Sequence, residues 1–164
     1  VSDQAKAGEL TALQAALSAE HAAVYGYGVV GGRIGAGLLA EARSAYDAHR
    51  AGRDALARAV RDLGGEPVAA SAAYALPFAV TDSATAVRLA AELEDRVADV
   101  YSDLVRASAG ARRGSAAGAL REAAVRAVRW RGESVAFPGL AERGAPLGEA
   151  GGSASPSASA SATP

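Results

Sequence analysis

Three polar side chains stand where helical periodicity calls for apolar ones. Glu20 lies three residues past Leu17, seven past Leu13 and four before Val24, positions that share one face of an α-helix. His49 lies three past Tyr46 and seven before Leu56, and Glu94 lies four past Ala90 and three before Val97. Each is therefore aimed at a core. A buried carboxylate is costly unless a cation neutralises it. Two carboxylates and an imidazole on facing helices form a donor set suited to one Fe, Mn or Zn ion, with His21 and Tyr46 as neighbours. Heights agree with this. Around a turn centred near residue 34 or 35, Glu20 and His49 are equally distant in sequence; around one centred near residue 112, Glu94 faces a position close to Trp130. A guanidinium offers the same charge as a metal, because it can fork onto a carboxylate. Arg50, Arg53, Arg126 and Arg131 all lie on or beside the inner faces.

The elements that must hold these residues read as helices throughout, with no alternating strand pattern. A first helix runs from a cap at Asp3 to about Val30, striped by Leu10, Leu13, Leu17, Val24 and Tyr27. A second runs from about Gly37 to Leu63 and ends at Gly64-Gly65 and Pro67. A third begins at a cap among Thr81, Asp82 and Ser83 and extends to about Ser108. The fourth covers about Ser115 to Arg131, after a glycine-bounded turn from Gly110 to Gly114, with Leu120, Ala124 and Ala127 facing in. Short links make the first and second helices one antiparallel hairpin and the third and fourth another. The link between hairpins, residues 65–82, can reach about 60 Å when extended, whereas the second helix spans about 40 Å. It can therefore run the length of the bundle, with Tyr74 and Phe78 covering the apolar side. The fold class is all-α, a four-helix bundle of two antiparallel hairpins joined by a long crossover.

Composition narrows the function. The chain has 164 residues with a net charge of −1, and neither Cys nor Met. Disulfides, thiolate metal sites and cysteine nucleophiles are excluded. Seventeen basic residues against eighteen acidic ones leave no excess to attract nucleic acid. No apolar run is long enough for a transmembrane helix, and Val1 to Gln4 lack the basic-then-apolar start of a signal peptide. A cytoplasmic protein is expected. All the basic residues except Lys6 are Arg, in keeping with a high-GC bacterial source. Gly26, Gly28, Gly31 and Gly32 crowd the end of the first helix, where each interior Gly costs up to about 1 kcal/mol relative to Ala. Close approach of another helix, from the bundle or from a second copy in a homodimer, would offset that cost. Residues 1–149 form the expected bundle plus a docking segment around Phe137-Pro138-Gly139-Leu140. Residues 150–164, all Gly, Ser, Ala, Thr or Pro, form an expected disordered tail.

The stretches LQAALSAEHAAVYGYG (13–28), HRAGRDAL (49–56), YALPFAVTD (74–82) and AVRWRG (127–132) resemble the ferritin-like superfamily, and within it a family of small bacterial ferritin-like domains of unknown function. The likeness spans roughly residues 8–140. Di-iron members carry a single Glu on each of two helices and Glu-x-x-His on each of the other two. The resemblance matches Glu20 and Glu94 to the single Glu positions and His49 to the His of the first Glu-x-x-His. Tyr46 stands where the Glu of that motif belongs, and Ala127 and Trp130 stand in the places of the second motif. Neither bridging pair is complete. The resemblance thus implies a degenerate di-iron site in a non-enzymatic protein. The alternative is a mononuclear Fe, Mn or Zn protein with oxidase or metal-handling activity.

Overall fold

Heptad-like apolar spacing produces four helices in a computed structural model that describes residues 2–132. The first, α1, spans Asp3–Gly31, α2 spans Leu39–Asp62, α3 spans Ser83–Ala107 and α4 spans Gly110–Arg131. The expected docking segment and tail lie outside the described residues. Among the described residues no helix is long and apolar enough to cross a membrane. The start of α1 is set not by Asp3 but by Ser2, whose hydroxyl accepts the Ala5 N–H. At α3 a reciprocal capping box joins Asp82 and Thr85.

Cross-helix bonds give the directions. Glu20 on α1 meets His49 on α2 and Tyr101 on α3, while Tyr27, further along α1, meets Glu94, earlier on α3. Tyr27 also lines a cavity with Leu39 and Ala42 at the start of α2, so both α2 and α3 run antiparallel to α1 and parallel to each other, as a long crossover requires. Arg126 reaches Glu94 while Arg113 reaches the Val105 carbonyl, so α4 runs antiparallel to α3. The closely packed pairs are α1 with α2, α1 with α3, and α3 with α4.

One boundary differs from the sequence expectation. The turn before α4 is only Ser108 and Ala109, with Gly110 at φ +56° reversing the chain. The Arg-rich stretch 110–114, read as loop from its glycines, is the first turn of the helix. Glycine weakens a helix without forbidding it, and Gly114 here is exposed. On this helix Ala116, Ala123, Ala127 and Trp130 are the buried residues; Leu120 and Ala124 are half-buried.

The core is split in two. One cluster gathers Leu13, Leu17, Leu56, Val60, Val97 and Leu104. The other gathers Tyr27, Val30, Leu89, Leu93 and Trp130. Each buried Leu contributes roughly 2 kcal/mol of burial free energy. Gly26 lets the second cluster close, because a Cβ there would come within 2.5 Å of Leu93 Cδ1. Gly28 and Gly31 have no such neighbour within 4 Å, so close packing inside the bundle explains only one of these glycines.

The crossover lies along the outside of α1. Gln14 donates to the Glu66 carbonyl at 2.5 Å and accepts from the Val68 N–H at 2.9 Å, His21 Nε2 bonds the Val68 carbonyl at 3.1 Å, and Tyr25 packs on Tyr74 with ring centroids 5.5 Å apart. Phe78 packs against the second cluster, with Arg88 stacked 4.2 Å above its ring. Tyr74 and Phe78 thus cover the bundle as expected. Gln14→Ala should cost about 1 kcal/mol and speed hydrogen exchange at the Val68 amide. An unchanged exchange rate there would show that Gln14 does not anchor the crossover.

Candidate functional site

Between the two apolar clusters lies a layer of charge to which every helix contributes. Glu20, His49 and Glu94, selected by their periodicity, are all buried, with relative exposures of 3%, 1% and 0%. The structure brings them together, with the imidazole between the carboxylates. His49 Nδ1 is 2.7 Å from Glu20 Oε2, and His49 Nε2 is 3.1 Å from Glu94 Oε1. The equal heights expected of Glu20 and His49 are observed.

The partner of Glu94 on α4 is Arg126, one turn before the Trp130 position expected from a turn near residue 112. Arg126 Nε donates to Glu94 Oε1 at 2.8 Å. The shorter turn, centred closer to Gly110, accounts for the slip in height. Of the other inner-face arginines, Arg131 pairs with Asp95 at 2.6 Å, Arg53 with Asp54 at 2.7 Å, and Arg50 only loosely with Asp47 at 3.8 Å. Arg126 is the guanidinium that enters the layer.

Three aromatic residues complete the hydrogen bonding. Tyr101 Oη donates to Glu20 Oε1 at 2.7 Å and Tyr27 Oη donates to Glu94 Oε1 at 2.6 Å. Trp130 Nε1 then donates to Tyr27 Oη at 2.8 Å. The Tyr27 ring stacks on the His49 imidazole, centroids 5.1 Å apart. Periodicity places Tyr101 on an apolar stripe, where a tyrosine reads as core; its bond to Glu20 is visible only once α1 and α3 are set side by side. His21 is held by the crossover, and Tyr46 is half-buried beside Arg50. Among the described residues, neither side chain bonds to the layer. A second charged pair, Glu9 with Arg112, links α1 to α4 through two bonds of 2.7 and 3.0 Å. Glu9 lies four residues before Leu13, so its stripe position was available in the sequence, but Arg112 fell in the stretch read as a turn.

Proton placement follows from the donor count. An ionised carboxylate can only accept, so an imidazole with both nitrogens on carboxylates must donate from both. His49 is thereby an imidazolium. Burial alone would lower its pKa, but the bonds to Glu20 and Glu94 prevail and hold it at about 9. Burial would raise the pKa of Glu94, and His49 with Arg126 reverses this to a lowered value. Tyr27 and Tyr101 are pushed up by burial and by the carboxylates they face, so both keep their protons. Two carboxylates, one imidazolium and one guanidinium sum to zero charge.

A metal ion needs lone pairs converging on one point at about 2.0–2.2 Å. Here the ring lies between the carboxylates, both its nitrogens carry protons, and Glu94 Oε1 already accepts three bonds. Of the layer's carboxylate oxygens, only Glu94 Oε2 lacks a partner among the described residues. As arranged, these residues do not fit an ion, and among the described residues no group of three or more His, Asp or Glu side chains is placed to hold one.

A helical bundle with a charge-neutral polar layer through its core is the class that this fold and site define. Residues 12–142 match the family described as a domain of unknown function (DUF4439), and the chain belongs to that family. Its fold is similar to the crystal structure of a conserved hypothetical protein, rv2844, from Mycobacterium tuberculosis. The two share 34% identity and a TM-score of 0.74 over 80% of this chain and 98% of that one. No curated protein matches the chain.

The raised His49 pKa fixes the sign of a pH effect. Between about 6.5 and 9 the folded state holds a proton that the unfolded state releases, so its contribution is complete below 6.5 and lost as pH rises through 9. Thermal stability should fall across that window and level off above it. His49→Gln should flatten this dependence. A wild-type midpoint that does not change from pH 6.5 to 9 would mean that His49 is neutral.

Proposed function

We propose that this chain is a non-enzymatic ferritin-like bundle with a degenerate di-iron site, in which protonated His49 and Arg126 stand where metal cations would neutralise the carboxylates, and that it serves as a binding or scaffolding protein. The observation that carries this reading is the position of Arg126 Nε, 2.8 Å from Glu94 Oε1, in a layer whose charges already balance. Removing one member of a buried ion pair leaves an uncompensated charge and costs roughly 3–5 kcal/mol, whereas replacing both members is close to neutral. Arg126→Met should therefore destabilise strongly, and adding Glu94→Gln should restore most of the loss. Full-length protein grown with added iron, manganese and zinc should carry far less than one ion per chain.

The competing reading is a mononuclear metal protein using Glu20, His49 and Glu94, and one observation favours it, the unpartnered Glu94 Oε2. It requires His49 to lose one ring proton and Arg126 to withdraw. A stoichiometric ion that disappears in Glu20→Ala would establish this reading and overturn ours.

We also propose that the protein is a homodimer. Support comes from Gly28 and Gly31, where an added Cβ meets nothing within 4 Å, and from the exposed Val125 and Val128 on α4. Sedimentation equilibrium should give twice the chain mass; a monomer at micromolar concentration refutes it.

A further inference from the structure

The seam between α2 and α4 holds a cleft of about 250 Å³, separate from the charged layer but touching it at Tyr101. The helices are not closely packed on each other there. Leu13, Leu56 and Leu104 line the cleft from three different helices, and the residues that α2 and α4 present across the seam include Ala55 and Ala59 on one side and Ala116 and Ala119 on the other. Side chains this small cannot fill the space between helices set this far apart.

The polar members of the lining are already committed. Tyr101 Oη is bound to Glu20, Ser115 Oγ donates to the Ala111 carbonyl, and the Arg112 guanidinium is forked onto both oxygens of Glu9. The cleft therefore offers mostly apolar surface, and its one charged lining side chain, Arg112, is neutralised by Glu9. An anion entering it would lose hydration and have to share the Arg112 guanidinium with Glu9, whereas a neutral hydrocarbon has no charge to desolvate. We propose that this cleft is a binding site for small, neutral, apolar molecules about the size of a single aromatic ring or a short acyl chain. The proposal goes beyond the reading of the charged layer and stands whichever cation neutralises it.

Toluene and benzoate, one neutral and one anionic at the same ring size, are suitable probes. Titrated into the full chain, toluene should shift the methyl NMR signals of Leu13, Leu56 and Leu104 to saturation, and benzoate should bind at least about tenfold more weakly. Ala119→Leu places a larger side chain in the cleft and should abolish the toluene shifts. Ala55→Leu, at a more exposed lining position, provides the same test should the first variant fold poorly. The absence of saturable shifts with toluene, equal affinity for benzoate, or toluene shifts retained in a folded, filled variant would each overturn the proposal.

Discussion

Everything in this bundle depends on neutralising two carboxylates in an otherwise alanine- and leucine-lined interior. Glu20 and Glu94 cannot both stay ionised in such surroundings without cations at contact distance. The chain supplies them from its own helices, His49 on α2 and Arg126 on α4. Because each of the four helices gives one charged member, the layer also sets register. Sliding any helix by one turn would separate its charge from its partner and bring an apolar residue into the gap. Apolar clusters on either side supply most of the burial, but leucines and alanines alone distinguish poorly between neighbouring registers. The charged layer does distinguish them.

The aromatic shell has a different task. Tyr27 and Tyr101 each direct a hydroxyl at a carboxylate, and Trp130 caps Tyr27. These donors satisfy oxygen lone pairs without adding charge, so the balance set by His49 and Arg126 is undisturbed. Glu94 Oε1 accepts three bonds while, among the described residues, Oε2 has no partner, so the donors converge on one side of that carboxylate.

Much of this was legible in the sequence. Helical spacing alone put Glu20, His49 and Glu94 on inward faces, and the lengths of the connections gave the hairpins and the crossover. Glu20 and His49 came out level because the first turn was located well. The second turn was not, since Gly110 and Gly114 made five helical residues look like loop, and that displaced the partner of Glu94 from Arg126 to Trp130. Tyr101 was hidden for another reason: a tyrosine on an apolar stripe gives no sign of which way its hydroxyl points until its neighbour across the helix pair is known. Nor does one chain's sequence say whether an inward arginine replaces a metal or merely sits beside it. That depends on which group meets Glu94 across the α3–α4 pair.

The order of packing gives α4 a character of its own. Among the described residues its closest packing is with α3, and it is tied to α1 through Glu9–Arg112, Tyr27–Trp130 and the burial of Ala116 and Ala123 beside Leu13 and Leu17. Its covalent link to α3 is short, Ser108 and Ala109, and Ala116, Ala123, Ala127 and Trp130 bury its inner face. Lifting it would withdraw Arg126 and leave the remaining layer with a net negative charge in a partly dry cavity. Attraction between that charge and the guanidinium is strongest where water is excluded, so the charge balance itself holds α4 in place.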